Sequence, residues 1–383
     1  MNKHLQALVG AISKGNGWDD DGEKISVSKT SRTAGSVYEK VRNAVEYEEE
    51  HLLRRNAIRR ILRRRRDNVE ASETRGAMLL NELIWAKYLP NNSVPTFLIG
   101  QVDSVLDRFD PLFSALPQGE AGEEGSEWLF DVLSTEIEYV IEPPRADEAL
   151  ANFMFNRLED GMEWKEAKVP EKKERDILLY IAIHRALLKS NLATLRYRLF
   201  ILYIPNWGTM TPKDSEEVAG RLVQLVRGIE SHIHHRLSDQ LFRLMRRYAF
   251  VFSAIIDVVK DKPEEAGKIL KDEIEFKKKV LKAAEARYGS FKTRLRRTVL
   301  RAVLFLFLTK MLLALILEIP YDAYVEGELN WLPLGINVFF HPLFLSVIGT
   351  TVSVPAIKNN ARLIDLAWQA VGSEEKISVF FHV

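Results

Sequence analysis

Two apolar runs near the C-terminal end constrain this chain more than any other feature. The first is Val299 to Leu317 (VLRAVLFLFLTKMLLALIL), and the second is Trp331 to Pro355 (WLPLGINVFFHPLFLSVIGTTVSVP). A helix crossing a bilayer needs about 20 mostly apolar residues, because about 30 Å of hydrocarbon is covered at about 1.5 Å per residue. Both runs meet that requirement, and no other stretch does. AFVFSAIIDVV and Ile177 to Ile183 are strongly apolar but too short to span, and read as buried bundle helices. The pattern predicts a transmembrane hairpin over residues 293–356.

Charge asymmetry gives the hairpin a direction. Lys277, Lys278, Lys279, Lys282, Arg287, Lys292, Arg294, Arg296, Arg297 and Arg301 crowd the approach to the first run. The connector EIPYDAYVEGELN carries Glu318, Asp322, Glu326 and Glu328 and no base, while Lys358 and Arg362 follow the second run. The positive-inside rule then puts both ends in the cytoplasm and the acidic turn outside, with Tyr321, Tyr324 and Trp331 at the outer interface. The expected location is the inner (cytoplasmic) membrane, with the bulk of the chain cytoplasmic.

The remainder reads as helical. The chain has 383 residues and a slightly negative mean hydropathy, which argues against a polytopic transporter with many spans. Residues 1–35 hold one short helical stretch, Lys3 to Ser13, in a Gly, Ser, Thr and Asp mixture expected to be a mobile tail. From Ser36 to residue 292 the pattern predicts a cytoplasmic helical bundle of long helices. Pro117 to Ser126 (PQGEAGEEGS) reads as an exposed connector. Thr211-Pro212-Lys213-Asp214 reads as a helix start, opening a helix to about His235. A last soluble helix with Pro263 in its first turn is expected to run nearly straight into the first span. Residues 357–383 form a short cytoplasmic end; its apolar KISVFFHV has no partner legible in the sequence, and packing back on the domain is one reading.

Several residues are candidates for chemistry. Lys310 falls near the middle of the first span, where a basic group costs about 2.5 to 3.5 kcal/mol on insertion scales. Asn337 and His341 on the second span, and Glu318 at the outer end of its own helix, are the candidate partners. The bland reading is snorkelling or one interhelical hydrogen bond; the functional one is a polar path. Pro342 should kink the second span. The run Arg54 to Arg66, ending in Arg63, Arg64, Arg65 and Arg66, reads as a solvated helix face, a patch for anionic lipid or, last, one for nucleic acid; Arg294, Arg296, Arg297 and Arg301 read as lipid-facing bases. A net charge of +1 argues against nucleic acid. His232, His234 and His235 lack the further ligands of a metal site, and Glu48-x-x-His51 lacks the second copy that a di-iron bundle needs. Without cysteine there is no thiolate catalysis or disulfide, and no phosphate-cradling or nucleophile-elbow motif occurs. No cofactor or metal is expected, and nothing argues for an enzyme.

Leu308 to Asp322 (LTKMLLALILEIPYD) followed by Leu332 to Phe344 (LPLGINVFFHPLF) resembles a group of predicted bacterial membrane proteins from reduced genomes. They are similar in pairing a long charged helical cytoplasmic region with a late hairpin of spans. The chain departs from that pattern at His341, where a second proline is expected. The resemblance covers mainly the hairpin and implies no activity.

The sequence thus predicts an all-α chain: a cytoplasmic helical domain tethered by a two-span hairpin, acting as a scaffold or interaction protein. Its expected partners are anionic headgroups, with protein partners or further copies of itself open. The alternative is a homo-oligomeric channel or transporter subunit whose polar path is lined by Lys310 and His341.

Overall fold

A computed structural model describes residues 3–15, 22–27, 50–65, 73–165, 169–322, 324, 331–351, 360–372 and 376–382. Among these the chain is predominantly helical, with one pair of short strands. It divides into two compact units, Met1–Ser253 with Gly372–Val383, and Ala254–Val371. The division falls inside a helix rather than at residue 292, where the composition changes.

The first unit holds α1 (Lys3–Lys14), α2 (Glu50–Arg65), α3 (Arg75–Trp85), α4 (Phe97–Ser114), α5 (Glu120–Ile141) and α6 (Arg145–Glu159). Strand β1 (Met162–Lys165) follows, then α7 (Lys172–Leu187), α8 (Leu192–Tyr203), α9 (Pro212–Gly220), α10 (Leu222–Ile233) and the start of α11 (Ser238–Asp261). At the centre lies α5, which packs against α2, α4 and α8. Phe109, Phe200 and Trp207 meet beside it edge to face or stacked, with ring centroids 4.8 to 6.1 Å apart. Fully burying such rings is the largest apolar contribution a single residue type makes.

Three expectations are corrected here. Residues 3–14 are not part of a mobile tail: α1 packs against α6, and Leu5 and Leu8 are fully buried. Residues 23–27 lie along 91–96, where Ile25 N–H donates to Val94 O and Thr96 N–H to Glu23 O. Pro117 to Ser126 is not a connector but contains the first turns of α5. Gly119 starts the helix at φ +86°, and a Cβ on Gly122 would lie 1.9 Å from Pro117 O, so the glycines shape a tight start. Glu120 and Glu123 complement the helix N-terminus. The helix opened by Thr211 has the expected capping box with Asp214, yet breaks at Gly220–Arg221 instead of reaching His235. Glycine costs about 1 kcal/mol inside a helix, which favours the break there.

The end of the chain supplies β2 (Val379–His382), which pairs in parallel with β1, Met162 opposite Val379 and Lys165 opposite His382. Ile377, Val379 and Phe381 are buried, so the apolar ending belongs to the first unit.

In the second unit, Pro263 precedes only a short helix, α12 (Ala266–Ile269). The long helix, α13 (Glu273–Leu313), starts later. Asp272 caps it, accepting from Ile274 and Glu275 N–H at 3.0 and 3.1 Å, with Glu273 and Glu275 in the first turn. This 41-residue helix is about 60 Å long and continues through a π turn, Ala314–Glu318, and a last turn, Ile319–Tyr321. Pro320 explains the π turn, because its ring displaces the carbonyl four residues back. Ile319 N–H accordingly reaches Ala314 O, five residues back. Then come α14 (Trp331–Thr351) and α15 (Asn360–Val371). The first half of α13 carries α15, with Phe276 and Trp368 centroids 5.7 Å apart and Lys277 3.3 Å from Asp365.

Candidate functional site

The second half of α13 packs antiparallel against α14, and together they are the two helices long and apolar enough to cross a membrane. Only 6% and 11% of their apolar stretches are buried. A core helix of a water-soluble bundle would be mostly covered. Here Leu304, Phe305, Leu308, Leu312 and Leu315 on one helix and Ile336, Phe340, Leu343 and Val347 on the other point outward. Exposed apolar side chains run from Leu300 to Leu317 and from Leu332 to Ile348, about 27 and 25 Å.

Between the two helices the contact is made by small or compact groups. Ala314 and Pro342 are buried there, and a Cβ on Gly349 would lie 2.4 Å from Val299 Cγ1. Helices without a solvent-driven attraction associate through such close approach. Phe307 and Phe339 meet at 5.4 Å farther along. Pro342 stands within an α14 that is continuous from Trp331 to Thr351.

One polar chain interrupts the apolar surface. Lys310 Nζ donates to Asn337 Oδ1 at 3.2 Å, and Asn337 Nδ2 donates to Glu318 Oε1. All three side chains are half-buried. Asn337 is suited to the place because its amide presents an acceptor to the ammonium and a donor to the carboxylate. Of the sequence candidates, the structure therefore gathers Lys310, Asn337 and Glu318. It leaves His341 out of the chain: His341 is exposed one turn from Asn337, with its ring against Phe340.

The two basic groups fare differently. Arg294, Arg296, Arg297 and Arg301 are exposed around α13 where its apolar half begins. In α2, Arg63 pairs with Glu127 at 3.1 Å, Arg65 with Glu82 at 2.9 Å, and Arg64 with Glu82 as well. Arg66 lies outside the described residues, as do Glu48, Glu326, Glu328 and Lys358.

Spacing in the sequence did not reveal a second set of charges, inside the first unit. Arg54 binds Glu138 and Glu142 at 2.6 and 2.5 Å; Arg108 binds Glu136 at 2.7 Å, with Trp207 Nε1 on the other carboxylate oxygen at 2.7 Å. Arg196 joins Asp131 to Glu230 at 2.7 Å each. Burial pushes the Glu136 carboxyl above its usual range although Arg108 and Trp207 pull it down. Nearby, Arg198 Nη2 donates to Tyr139 Oη at 3.1 Å, and the Tyr180 ring lies tilted against the buried His184, centroids 4.2 Å apart. Burial first, and the charge of Arg198 second, hold the His184 imidazole well below its ordinary value. A cavity of about 160 Å³ opens beside Arg198, lined also by Arg55, Lys189, Glu138, Glu142 and Asp147, so its charges balance and select no sign of ligand. His234 and His235 approach Glu230 and Glu174 at 3.3 and 3.6 Å, and no group of metal-ligating side chains forms among the described residues.

No family model matches the chain, and no curated protein or solved structure matches it either.

Proposed function

We propose that this chain is a membrane-anchored helical scaffold, its hairpin in the bilayer and its helical units at the cytoplasmic face of the inner membrane. One observation carries the anchoring: the apolar side chains of α13 and α14 face outward over about 27 and 25 Å, the thickness of a hydrocarbon core. Burying such side chains in lipid stabilises them by about 25 cal/mol per Å² relative to water. Sidedness rests on the exposed bases at Arg294, Arg296, Arg297 and Arg301 against the acids at the other end. Each base near anionic headgroups adds about 1 kcal/mol. The scaffold role is supported by architecture, a continuous helix carrying α15 on one half and the hairpin on the other.

The test uses the absence of native cysteine. Single cysteines placed at Tyr324 and at Lys292 in intact cells should react with an impermeant maleimide at Tyr324 only, and the chain should resist extraction at pH 11. Full-length protein that stays monodisperse in buffer without detergent sinks the proposal.

A second reading, an oligomeric channel or transporter subunit, draws on the polar chain Lys310–Asn337–Glu318. By residue count it runs from mid-thickness to the acidic edge. Ion flux in liposomes that Lys310→Ala changes would favour it; flux equal to that of empty vesicles would remove it.

A further inference from the structure

Arg198 on α8 is buried with less compensation than the arginines around it. Arg54, Arg108 and Arg196 each hold a carboxylate oxygen at 2.5 to 2.7 Å. The carboxylate paired with Arg198, that of Glu148 on α6, stands 3.5 Å away and is itself half-exposed. The hydrogen bonds of Arg198 go to neutral phenols, Tyr139 Oη at 3.1 Å and Tyr180, and its Nε finds no acceptor among the described residues. A guanidinium taken out of water and left short of anions is costly to keep. Arg198 is less than a tenth exposed, yet it forms part of the wall of the cavity of about 160 Å³ between α2, α5, α6 and α8. Beside it there is room for what it lacks, and its planar fork matches a carboxylate.

The other charges on this wall are not equally available. Glu138 and Glu142 are both engaged by Arg54. Arg55 donates to Asn191 and Asn56, at 3.2 and 2.5 Å, and Lys189 is exposed to water. Asp147, exposed in the first turn of α6 beside Glu148, is tied to no base among the described residues. The cavity thus offers an under-paired guanidinium and an unengaged carboxylate, and Leu52, Pro144 and Leu188 supply apolar wall. A lining that favours neither sign of net charge suits a molecule that carries both. Room sets the size, since a cavity of about 150 Å³ accepts a six-atom ring such as benzene. We propose that the cavity beside Arg198 binds a small free amino acid, its carboxylate on Arg198 and its ammonium on Asp147. The site lies wholly within the first unit and does not depend on the membrane reading.

Titration calorimetry of the full-length chain in detergent micelles tests this with glycine, alanine and serine. Propionate and ethylamine serve as the two fragments of alanine that keep one charge each. At least one of the three amino acids should bind saturably and raise the midpoint of thermal unfolding. Propionate and ethylamine should each bind about tenfold or more weakly than alanine, because each gives up hydrogen bonds to a charged group. Tryptophan, too bulky for the cavity, should not compete. Asp147→Asn changes an exposed side chain, so the fold is kept. It should weaken amino-acid binding about tenfold or more and leave that of propionate unchanged. Arg198→Lys keeps the charge but loses the fork, and should weaken amino acids and propionate alike; if that chain does not fold, Asp147→Asn decides alone. Three results would each overturn the proposal: no saturable heat with any of the three amino acids, propionate bound as tightly as alanine, or an Asp147→Asn chain that binds them undiminished.

Discussion

The two halves of this molecule solve the placement of charge in opposite ways. In the first unit, Arg54, Arg108, Glu136 and Glu138 are all less than a tenth exposed, and each ion is answered by another at 2.6 to 2.7 Å. In the hairpin the apolar groups are outside, and the one lysine is tied to an amide and a carboxylate between the helices. In the first arrangement apolar mass and paired ions fill the interior. The second suits surroundings as apolar as leucine itself, as the membrane reading proposes. The same residue types thus carry different costs in the two places, and four measurements can break or sharpen that contrast.

The largest effect is expected from Glu136→Ala. It leaves the buried Arg108 without its partner and Trp207 Nε1 without its acceptor, and should lower the stability of the first unit by about 3 to 5 kcal/mol. Denaturant unfolding followed by tryptophan fluorescence reads this; a loss under about 1 kcal/mol would mean that the pair is wetter than its burial implies.

Next in size is Leu312→Asp, on the outward side of α13. If lipid surrounds that face, insertion should weaken by about 2.5 to 3.5 kcal/mol, seen as a smaller fraction of chain resistant to extraction at pH 11. Unchanged extraction would put water, not lipid, against Leu312, and the contrast between the halves would fail.

A smaller effect concerns pH. The His184 imidazole has a folded pKa below its unfolded value, so the unfolded chain binds the proton more readily. Its stability contribution is therefore complete above the ordinary histidine pKa of about 6.5 and is lost as pH falls through the folded value. Thermal unfolding between pH 7 and 5 should show a slope of at most about 1.4 kcal/mol per pH unit from this group. His184→Phe should flatten the slope, and an unaltered slope would assign it to other groups.

Smallest is Asn337→Leu, which removes the acceptor for Lys310 and the donor for Glu318. Hydrogen bonds between membrane helices are worth about 0.6 to 1.7 kcal/mol, and hairpin unfolding in bicelles should shift by that amount. A shift near zero would mean that Lys310 reaches Glu318 or the headgroups equally well without the amide.

How much of this was legible in the sequence depends on how local each cause is. The pair of long apolar helices was readable because length and composition act along the chain. The capping box at Thr211 and Asp214 was readable for the same reason. The start of α5 was not, because glycines at 119 and 122 suit a loop as well as the tight approach to Pro117 that they make. Nor was the β1–β2 pair, whose strands are more than two hundred residues apart and parallel. The arginines of α2 invited a lipid-facing reading because their partners, Glu82, Glu127 and Glu138, sit on other helices. The Lys310 chain was half legible: the sequence offers Asn337 and Glu318 as partners, but only the π turn at Ala314–Glu318 and the antiparallel register bring both to one place.

The uninterrupted α13 also has a mechanical consequence. Between Arg297 and Glu273 it extends about 36 Å with no break in its hydrogen-bonded backbone. Tilt of a membrane helix responds to bilayer thickness, and a change of about 10° would swing the Glu273 end through about 6 Å. Because α15 rides on that arm through Phe276 and Lys277, it travels with the swing. On the membrane reading proposed above, thinning or thickening of the lipid would thereby become lateral displacement of the surface that α15 presents.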